Sequence, residues 1–287
     1  MNKPLLLLPR LRVQNANAIA GPLSYGFPSP TAFLGFADII ERRVADAAFD
    51  GCGIICHSHE QQVVDGGYEK QFTSQRHPYT SGWKSKFVDK QSANLQEARM
   101  HFEVSLLLEM REELHEDDAE DMIDEIETLI PKLRIAGGLI LPQVPRPEIY
   151  NPPLSSKEMA KLKRRLMPGF SLVDRSDVLE EHRNGQPAID ALLDLCRLNS
   201  YFDGEKWAYR TTPGWFVPTV VGYSALSELY EPGTVKATRD ETVPFRFCEA
   251  LYGLGQWVSP HRFKDPEQMI WRRVPNAYRC TTQSFGG

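Results

Sequence analysis

The sequence predicts an α+β fold, in which helices lie against an antiparallel β-sheet. Its 287 residues are 41% hydrophobic, which is enough to bury a core in one large domain or in a domain with a subdomain. Its 21 prolines and 20 glycines are spread along the chain, as expected for a protein rich in turns. Helical and strand-like apolar patterns alternate through the first half, which favours a mixed fold.

The first half begins with a strand at residues 4–14. Ser29 and Pro30 then open a helix, because serine caps a helix and proline is tolerated in its first turn. A second strand is expected at 51–64, bounded by glycine and polar residues. An irregular polar excursion at 65–96 should follow it.

The remaining elements of this half are a third strand at 100–108 and an acidic helix from about Asp117 to Arg134. Gly137 and Gly138 are expected to stop that helix, and a short fourth strand should follow at 139–142. The resulting order, β-α-β-β-α-β, is that of a ferredoxin-like or RRM-like domain with four antiparallel strands backed by two helices. One recurrent use of that fold is to lay single-stranded RNA across a sheet.

The proline-rich segment VPRPEIYNPP at 144–153 indicates a boundary between two domains, 1–142 and 143–287. The second part should be an α+β subdomain that can pack back on the first. It contains a basic helix around KEMAKLKRRL, a helix around AIDALLDLCRL and short aromatic strands from Trp207 onward.

The net charge of −5 argues against a polyanionic partner until its distribution is considered. Residues 109–127 hold eleven carboxylates against one arginine, so the rest of the chain carries +5. The acidic run is interpreted as a solvated helix face rather than a metal site. Four apolar residues at helical spacing would supply its buried stripe: Met122, Ile126, Leu129 and Leu133.

The first apolar run, Leu5 to Leu8, is too short to span a bilayer and no signal-peptide pattern follows it. The protein is therefore expected to be cytoplasmic, without a membrane partner. Its five scattered cysteines fit reduced thiols rather than a disulfide framework.

Four possible zinc ligands, Cys52, Cys56, His57 and His59, occur within eight residues. In an extended strand, however, neighbouring side chains point to opposite faces, so His57 would point away from Cys56. We therefore expect neither a metal nor any other cofactor.

Residues 10–33, RLRVQNANAIAGPLSYGFPSPTAF, have a composition that suits RNA. Arginines meet phosphates, amides read base edges and aromatic rings stack bases. The helix that begins after Pro28 also presents free N–H groups to an anion. The alternative is that the amides cap turns and that Tyr25 and Phe27 belong to the core.

A second candidate segment, LYGLGQWVSPHR at 251–262, combines a G-x-G turn with aromatic and basic residues. Its glycines, Gly253 and Gly255, would let the backbone approach a phosphate. The alternative is a plain loop. The stretch 257–287 that follows is locally basic, with five cations against two carboxylates.

No catalytic motif is recognisable in the sequence: it lacks G-x-S-x-G, H-E-x-x-H and a Walker loop. His57, His59, His101 and His261 are the natural candidates for general bases. Each is interpreted as a core histidine or an RNA contact.

Six segments resemble, in their order and in their amino-acid sequences, those of the handle-binding subunits of type I-F CRISPR Csy complexes. These subunits are a Cas-five-type family of the RAMP superfamily. The segments are LLLLPRLRVQNANAIAGPLSYGFPSPTAF, AGGLILP, LMPGFSLV, ALLDLCRLN, PGWFVPTVVGYSALSELYEPG and FRFCEALYGLGQWVSPHR. The resemblance covers nearly the whole chain. It is absent from 65–96, the acidic helix, the connector at 143–163 and the residues beyond about 265.

The resemblance implies a non-catalytic subunit of an antiviral RNA-guided complex that clamps the 5′ handle of the guide RNA (crRNA). It also implies contacts with the large PAM-reading subunit, with the first backbone subunit, and possibly with target DNA near the PAM. Fourteen residues are predicted RNA contacts: Arg10, Arg12, Gln14, Asn15, Asn17, Tyr25, Phe27, Arg239, Arg246, Gly253, Gly255, Trp257, His261 and Arg262. Four cations of the basic helix form a reserve set: Lys161, Lys163, Arg164 and Arg165.

Two other interpretations remain open at this stage. Related Cas-five-type proteins cut precursor RNA, and His101 or His261 would then serve as the base. The chain could also be a protein-binding adaptor whose basic residues meet an acidic face of another subunit. Incubation with repeat RNA separates cleavage, retention without cleavage, and neither.

Overall fold

The computed structural model describes residues 3–21, 24–65, 70–72, 74–76, 94–96, 98–197, 200–209 and 214–280. Within these ranges the chain is a mixed α+β protein with five α-helices and a large antiparallel sheet, which confirms the predicted α+β class. Most of the polar excursion expected at 65–96 lies outside the described residues. No described helix has both the length and the apolar character needed to cross a membrane.

The strands and helices are numbered in chain order. The strands are β1 (Leu5–Asn17), β2 (Ile19–Gly21), β3 (Ser24–Tyr25), β4 (Phe49–Gln61), β5 (Val63–Asp65), β6 (Lys70–Phe72), β7 (Ser74–Arg76), β8 (Asn94–Gln96), β9 (Arg99–Met110), β10 (Arg134–Ile135), β11 (Gly138–Ile140), β12 (Glu148–Tyr150), β13 (Phe170–Asp174), β14 (Ser200–Phe202), β15 (Trp207–Tyr209), β16 (Trp215–Ala225), β17 (Cys248–Val258), β18 (Ile270–Val274) and β19 (Ala277–Cys280). The α-helices are α1 (Pro30–Glu41), α2 (Glu116–Leu129), α3 (Ser156–Arg165), α4 (Ser176–Arg183) and α5 (Ala188–Cys196). Three short 3-10 helices are Ile130–Lys132, Pro260–Arg262 and Pro266–Met269.

The four strands expected in the first half lie side by side, in the order β11-β1-β9-β4, and every pairing among them is antiparallel. Strands β1 and β9 contain continuous buried apolar runs, because protein covers both faces of the sheet there. Toward the end of β1 the pattern changes to alternation, with Leu11 and Val13 buried and Arg12 and Gln14 exposed.

Strand β4 joins the two halves of the chain. One edge pairs with β9, while the other pairs with β18 at 51–53 and with β13 at 54–56. The order β4-β13-β17-β16-β19-β18 therefore returns to β4 and closes a ring of six antiparallel strands. The division into domains 1–142 and 143–287 stays a prediction, with one sheet running through both.

Helix α1 follows the predicted start, with Ser29 at the N-cap and Pro30 in its first turn. It buries Phe33, Phe36 and Ile40 and packs against β4 and β16. Helix α2 has three acidic residues in its first turn, where they suit the positive end of the helix dipole. Its buried residues are Met122, Ile123 and Ile126, of which Met122 and Ile126 were predicted. Of the other two predicted residues, Leu129 is only half-buried and Leu133 is buried beyond the end of the helix.

Several predicted boundaries were wrong. Helix α2 ends at Leu129 because Pro131 has no backbone N–H to continue it, and a 3-10 turn follows. Gly137 does not stop that helix; with φ +75° it forms the turn between β10 and β11. Helix α4 was missed, and the two strands β16 and β17 are eleven residues long rather than short.

Glu109, counted with the acidic helix by sequence, instead lies in β9 with its carboxylate buried. It forms an ion pair with Arg272 of β18, which raises the pKa of that guanidinium. Two other cations of the basic stretch at 257–287 are also paired, Arg273 with Asp38 and Arg279 with Asp174. The surface charge of that stretch is therefore smaller than its sequence suggests.

We predict that Glu109→Ala lowers the free energy of unfolding by about 3–5 kcal/mol, because it removes the buried carboxylate that pairs with the partly buried Arg272 guanidinium. The exposed Glu113→Ala should change it by less than about 0.5 kcal/mol. Denaturant titration of both variants measures the difference. Equal stabilities would mean that the buried pair does not hold β18 against β9.

Candidate nucleic-acid interface

Three β-bulges redirect side chains at the centre of the sheet. In β1 the pairing with β9 shifts between Leu8 and Leu11 and again between Val13 and Ala16. The bulged residues Arg10 and Asn15 have φ values of 53° and 55°, which non-glycine residues seldom adopt. In β4 the second of two shifts occurs at His57. Bulges of this kind re-aim side chains and are frequent beside functional sites.

Two of these bulges meet at one buried hydroxyl group, that of Ser105 in β9. The Arg10 backbone N–H donates to Ser105 Oγ over 3.0 Å, and Ser105 Oγ lies 2.6 Å from His57 Nε2. Arg10 then reaches outward, and its guanidinium bonds Glu103 at 2.8 Å and the Met167 carbonyl at 2.9 Å. His57 Nδ1 lies 2.7 Å from the Pro168 carbonyl. Two consecutive carbonyls are thus held by the two bulged residues.

The hydrogen bonds of His57 define its state. A carbonyl only accepts, so Nδ1 carries the hydrogen and Nε2 accepts from the Ser105 hydroxyl in the neutral ring. Burial lowers the pKa of His57, and the nearby Arg10 lowers it further, against the raising effect of the bond to Pro168. His57 therefore acts as a neutral structural group that fixes the segment 166–170.

This segment lies where basic residues from two parts of the sequence meet. Ser259 Oγ lies 3.5 Å from Met167 Sδ and 2.8 Å from His261 Nδ1. Lys163 of α3 donates to the Phe263 carbonyl at 2.6 Å. We define the basic ridge as the five basic residues that lie in or directly beside the segments joined by these contacts: Lys163, Arg164, His261, Arg262 and Lys264.

The basic ridge joins His261 and Arg262 to two members of the reserve set, Lys163 and Arg164. Arg164 and Arg262 are exposed and have no ion-pair partner among the described residues. The other two reserve cations, Lys161 and Arg165, are occupied by Glu148. The ridge therefore presents free positive charge, which is what a phosphate backbone requires.

Arg12 and Gln14 lie on the outer face of the sheet, in an open groove of about 610 Å³. The same groove contains Glu60 and Glu103 beside His101, so its charge is mixed. Arg12 is exposed and unpaired within the described part of the chain. This groove suits contact with base edges better than with a run of phosphates.

Asn15 and Asn17 are partly occupied by local hydrogen bonds. The Asn15 N–H donates to His101 Nδ1 at 3.1 Å, and its side-chain oxygen accepts from Gln62 at 2.7 Å. Asn17 bonds both the N–H and the carbonyl of Ile19, as in an Asx turn. Of the three predicted amides, Gln14 is the one whose side chain forms no hydrogen bond within the described residues.

Of the predicted aromatic residues, Tyr25 and Phe27 differ in how far their rings are exposed for stacking with a base. Tyr25 is 73% exposed and meets the edge of Phe72. Phe27 is half-buried and packs on Phe33, Phe102 and Trp257 at 5.1–5.5 Å, so it contributes to the core rather than to an open platform.

The expected G-x-G turn does not exist. Gly253 and Gly255 lie inside β17, where a side chain on Gly253 would strike Val221 at 2.9 Å and one on Gly255 would strike Leu172 at 2.9 Å. These glycines are needed for packing against neighbouring strands. The sequence G-x-G occurs both in turns and in closely packed strands. The role of these glycines therefore becomes clear only from the residues that pack against them in the folded chain.

Arg239 and Arg246 lie in the exposed segment 226–247 between β16 and β17. Trp215 and Val258 are at the opposite end of that hairpin. Eleven residues of strand separate the two ends by about 33 Å. The structure therefore places these arginines far from His261 and Arg262.

The suspected zinc ligands do not converge. Burial raises the pKa of Cys56 to about 12 and that of Cys52 well above its usual range, whereas metal ligation needs a thiolate. His57 turns to Ser105 and Pro168. Across the described ranges, no three His, Cys, Asp or Glu side chains are grouped so that they could hold a metal ion.

Comparison with known proteins gives a consistent result. The family model described as CRISPR-associated protein (Cas_Csy2) matches residues 6–280. The chain is 40% identical over 319 residues to "CRISPR-associated protein Csy2" from Pseudomonas aeruginosa (strain UCBPP-PA14). That match covers 98% of this chain and 96% of the relative.

The His57 contacts predict a pH dependence of stability. Its pKa in the folded chain is below the ordinary 6.5, so below about pH 6.5 the unfolded chain binds a proton that the folded chain does not. The stabilisation by His57 should be complete above that pH and decline as the pH falls toward the lowered pKa. Denaturant titrations at about pH 7.5 and about pH 5.5 measure it.

His57→Gln should reduce this pH dependence, whereas the exposed His59→Gln should leave it intact. An unchanged dependence in the His57 variant would contradict the assignment of a neutral, half-buried imidazole.

Proposed function

The chain belongs to the Csy2 family of CRISPR-associated proteins, and we propose that it is a non-catalytic subunit of a type I-F RNA-guided surveillance complex. In this proposal it binds the 5′ handle of the crRNA and caps the backbone filament beside the large subunit, in antiviral DNA targeting. The family match and the 40% identity with Csy2 from P. aeruginosa support membership of a Csy complex. RNA binding is supported by the arrangement of side chains.

The fold supports the same proposal. The strand order β11-β1-β9-β4, with α1 after the first strand and α2 after the third, is that expected of a ferredoxin-like or RRM-like domain. We propose that residues 1–142 form such a domain of the Cas-five-type RAMP kind. Residues 143–287 then form the second α+β part, whose strands share the sheet.

The observation that carries the proposal is the basic ridge. Its members come from α3 and from the 3-10 segment after β17, and the Met167–Pro168 carbonyls held by Arg10 and His57 position them. Unpaired arginines on a preformed surface can bind phosphate without breaking internal ion pairs. Arg10 itself is committed to Glu103 and Met167, so we assign it to positioning rather than to phosphate binding.

Charge separation fits a protein that is acidic overall and binds RNA locally. Arg146 forms ion pairs with three carboxylates of α2, those of Glu120, Asp124 and Glu127. Most of the remaining α2 carboxylates are exposed and would repel RNA. The handle should therefore follow the ridge and avoid α2.

Protein partners require a different surface, and the β16–β17 hairpin offers one. Tyr223, Leu226, Leu229, Val243 and Phe247 are each about half exposed. Exposed apolar residues concentrated in one part of the chain are typical of protein interfaces. We propose that the segment 226–247, which we call the arm, contacts another subunit together with the adjoining Tyr223. That subunit would be the backbone subunit or the large PAM-reading one, and Arg239 and Arg246 would serve there or on nearby RNA or target DNA.

The alternative of an endoribonuclease gains no support from the candidate bases. His57 holds the main chain, His101 is engaged by Asn15 and lies 3.0 Å from the Gln62 amide, and His261 contacts Ser259. Incubation with precursor repeat RNA, without metal, should give retention without cleavage. Cleavage abolished by His101→Ala or His261→Ala would contradict the non-catalytic assignment.

We predict that Arg262→Ala weakens binding to all handle sequences alike. Each lost phosphate contact should lower the slope of log affinity against log salt concentration by about 0.7 for single-stranded RNA. A salt titration in the reconstituted complex measures the slope. Arg43→Ala, which removes an exposed arginine beyond α1, should leave the slope unchanged; an equally unchanged slope for Arg262→Ala would place the RNA elsewhere.

We predict a different effect for Gln14→Ala, because an amide both donates and accepts and so reads base edges. Discrimination between the handle and single-base variants should decrease while the salt slope stays the same. Competition binding measures the discrimination. If Gln14→Ala discriminated as the wild type does, the groove on the outer face would not read the handle.

A further inference from the structure

Phe170 and Trp215 form an exposed aromatic pair that the sequence analysis did not identify. They are 47% and 56% exposed, and their ring centroids lie 6.2 Å apart with an interplanar angle of 69°. Phe170 begins β13 and Trp215 begins β16. Exposure of two large neighbouring rings costs stability unless something covers them.

The pair rests on a rigid aromatic support. Trp215 lies directly opposite Trp257 on β17, with ring centroids 6.4 Å apart, and Trp257 packs at 5.1 Å against Phe27. Phe27 in turn stacks on the fully buried Phe33. The rings thus continue from the core to the surface, and strand pairing fixes the backbones of Trp215 and Trp257. A ligand that stacks there would order few side chains.

The pair also borders the basic ridge. Because β13 and β16 both run antiparallel to β17, the starts of the first two strands and the end of the third lie at the same end of the sheet. The Met167–Gly169 segment precedes Phe170 there, and Ser259 and His261 follow β17. Exposed rings and unpaired cations are therefore neighbours at this end.

We propose that Phe170 and Trp215 form a stacking site for one unpaired nucleobase of the handle RNA, whose adjoining phosphates lie on the basic ridge. The inference rests on the proposed function, and adds to it a base-binding position. Every nucleobase has a π-face, so such a site binds any base and supplies affinity rather than sequence discrimination. An arginine beside the stacked base adds a favourable cation–π contribution.

A second exposed pair provides an internal comparison. Phe202 and Trp207 are 56% and 69% exposed with ring centroids 5.8 Å apart. The turn between them contains Asp203 and Glu205 with one cation, Lys206. This pair has the same residue types as the proposed site but an acidic setting, so it makes a matched control.

The test compares Trp215→Ala and Phe170→Ala with Trp207→Ala in the reconstituted complex, using repeat-derived handle RNA that carries 2-aminopurine at successive positions. One stacked base supplies about 5- to 150-fold in affinity, and we expect a loss in that range for the first two variants. Trp207→Ala should stay within about twofold of the wild type. At one RNA position, wild-type protein should quench 2-aminopurine fluorescence and Trp215→Ala should not.

Trp215→Phe keeps a stacking ring and should retain most of the affinity, which separates stacking from a general loss of folding. The salt slope should not change in either alanine variant, because no phosphate contact is removed. If Arg262→Ala lowers the slope but Trp215→Ala and Phe170→Ala behave as Trp207→Ala does, the stacking site is wrong while the proposed function stands.

If none of these variants affects RNA binding, the proposed function fails together with the stacking site. If Trp215→Ala leaves RNA affinity unchanged but weakens association with another subunit, the pair is a protein contact and the inference is overturned.

Discussion

The candidate interface depends on one buried hydroxyl group. Ser105 Oγ accepts the N–H of the bulged Arg10 and donates to the ring of the bulged His57. Those two residues then hold the carbonyls of Met167 and Pro168, more than a hundred residues further along the chain. Without this hydroxyl, a buried N–H and an imidazole nitrogen would lose their partner, which costs about 1–3 kcal/mol for each group left unsatisfied. Gly169 fits the same place only because it lacks a side chain; a Cβ there would lie 2.8 Å from His57 Nδ1.

Strand β4 connects this local contact to both halves of the sheet. Because it pairs with β9 on one edge and with β13 and β18 on the other, the bulge at His57 faces the first half of the chain and the 166–170 segment at once. Cations from α3 and from the segment after β17 are then held at one end of the sheet. An acidic chain can thus present a local basic surface, while most of its α2 carboxylates remain solvated elsewhere.

The elements that sequence predicted well are those governed by local chemistry. Ser29 and Pro30 marked the start of α1, and the spacing of Met122 and Ile126 marked the buried face of α2. The misreadings arose where distant residues decide the outcome. Gly253 and Gly255 suggested a turn but are required by Val221 and Leu172 of neighbouring strands. Phe170 and Trp215 were missed because tertiary packing leaves their rings exposed together, although both belonged to the segments that carried the family resemblance. The bonds of Arg10 to Glu103 and Met167 could not be foreseen because both partners are remote in sequence, and its predicted contact with RNA stays a prediction.

The central claim is that the 166–170 segment organises the RNA-binding surface at one end of the sheet. Photo-crosslinking of 4-thiouridine-labelled handle RNA in the assembled complex, followed by mapping of the crosslinked peptides, tests it most directly. The account predicts crosslinks within 163–170 and 257–264, and at Trp215. Crosslinks confined to α2 or to the 226–247 arm, with none in those segments, would contradict it.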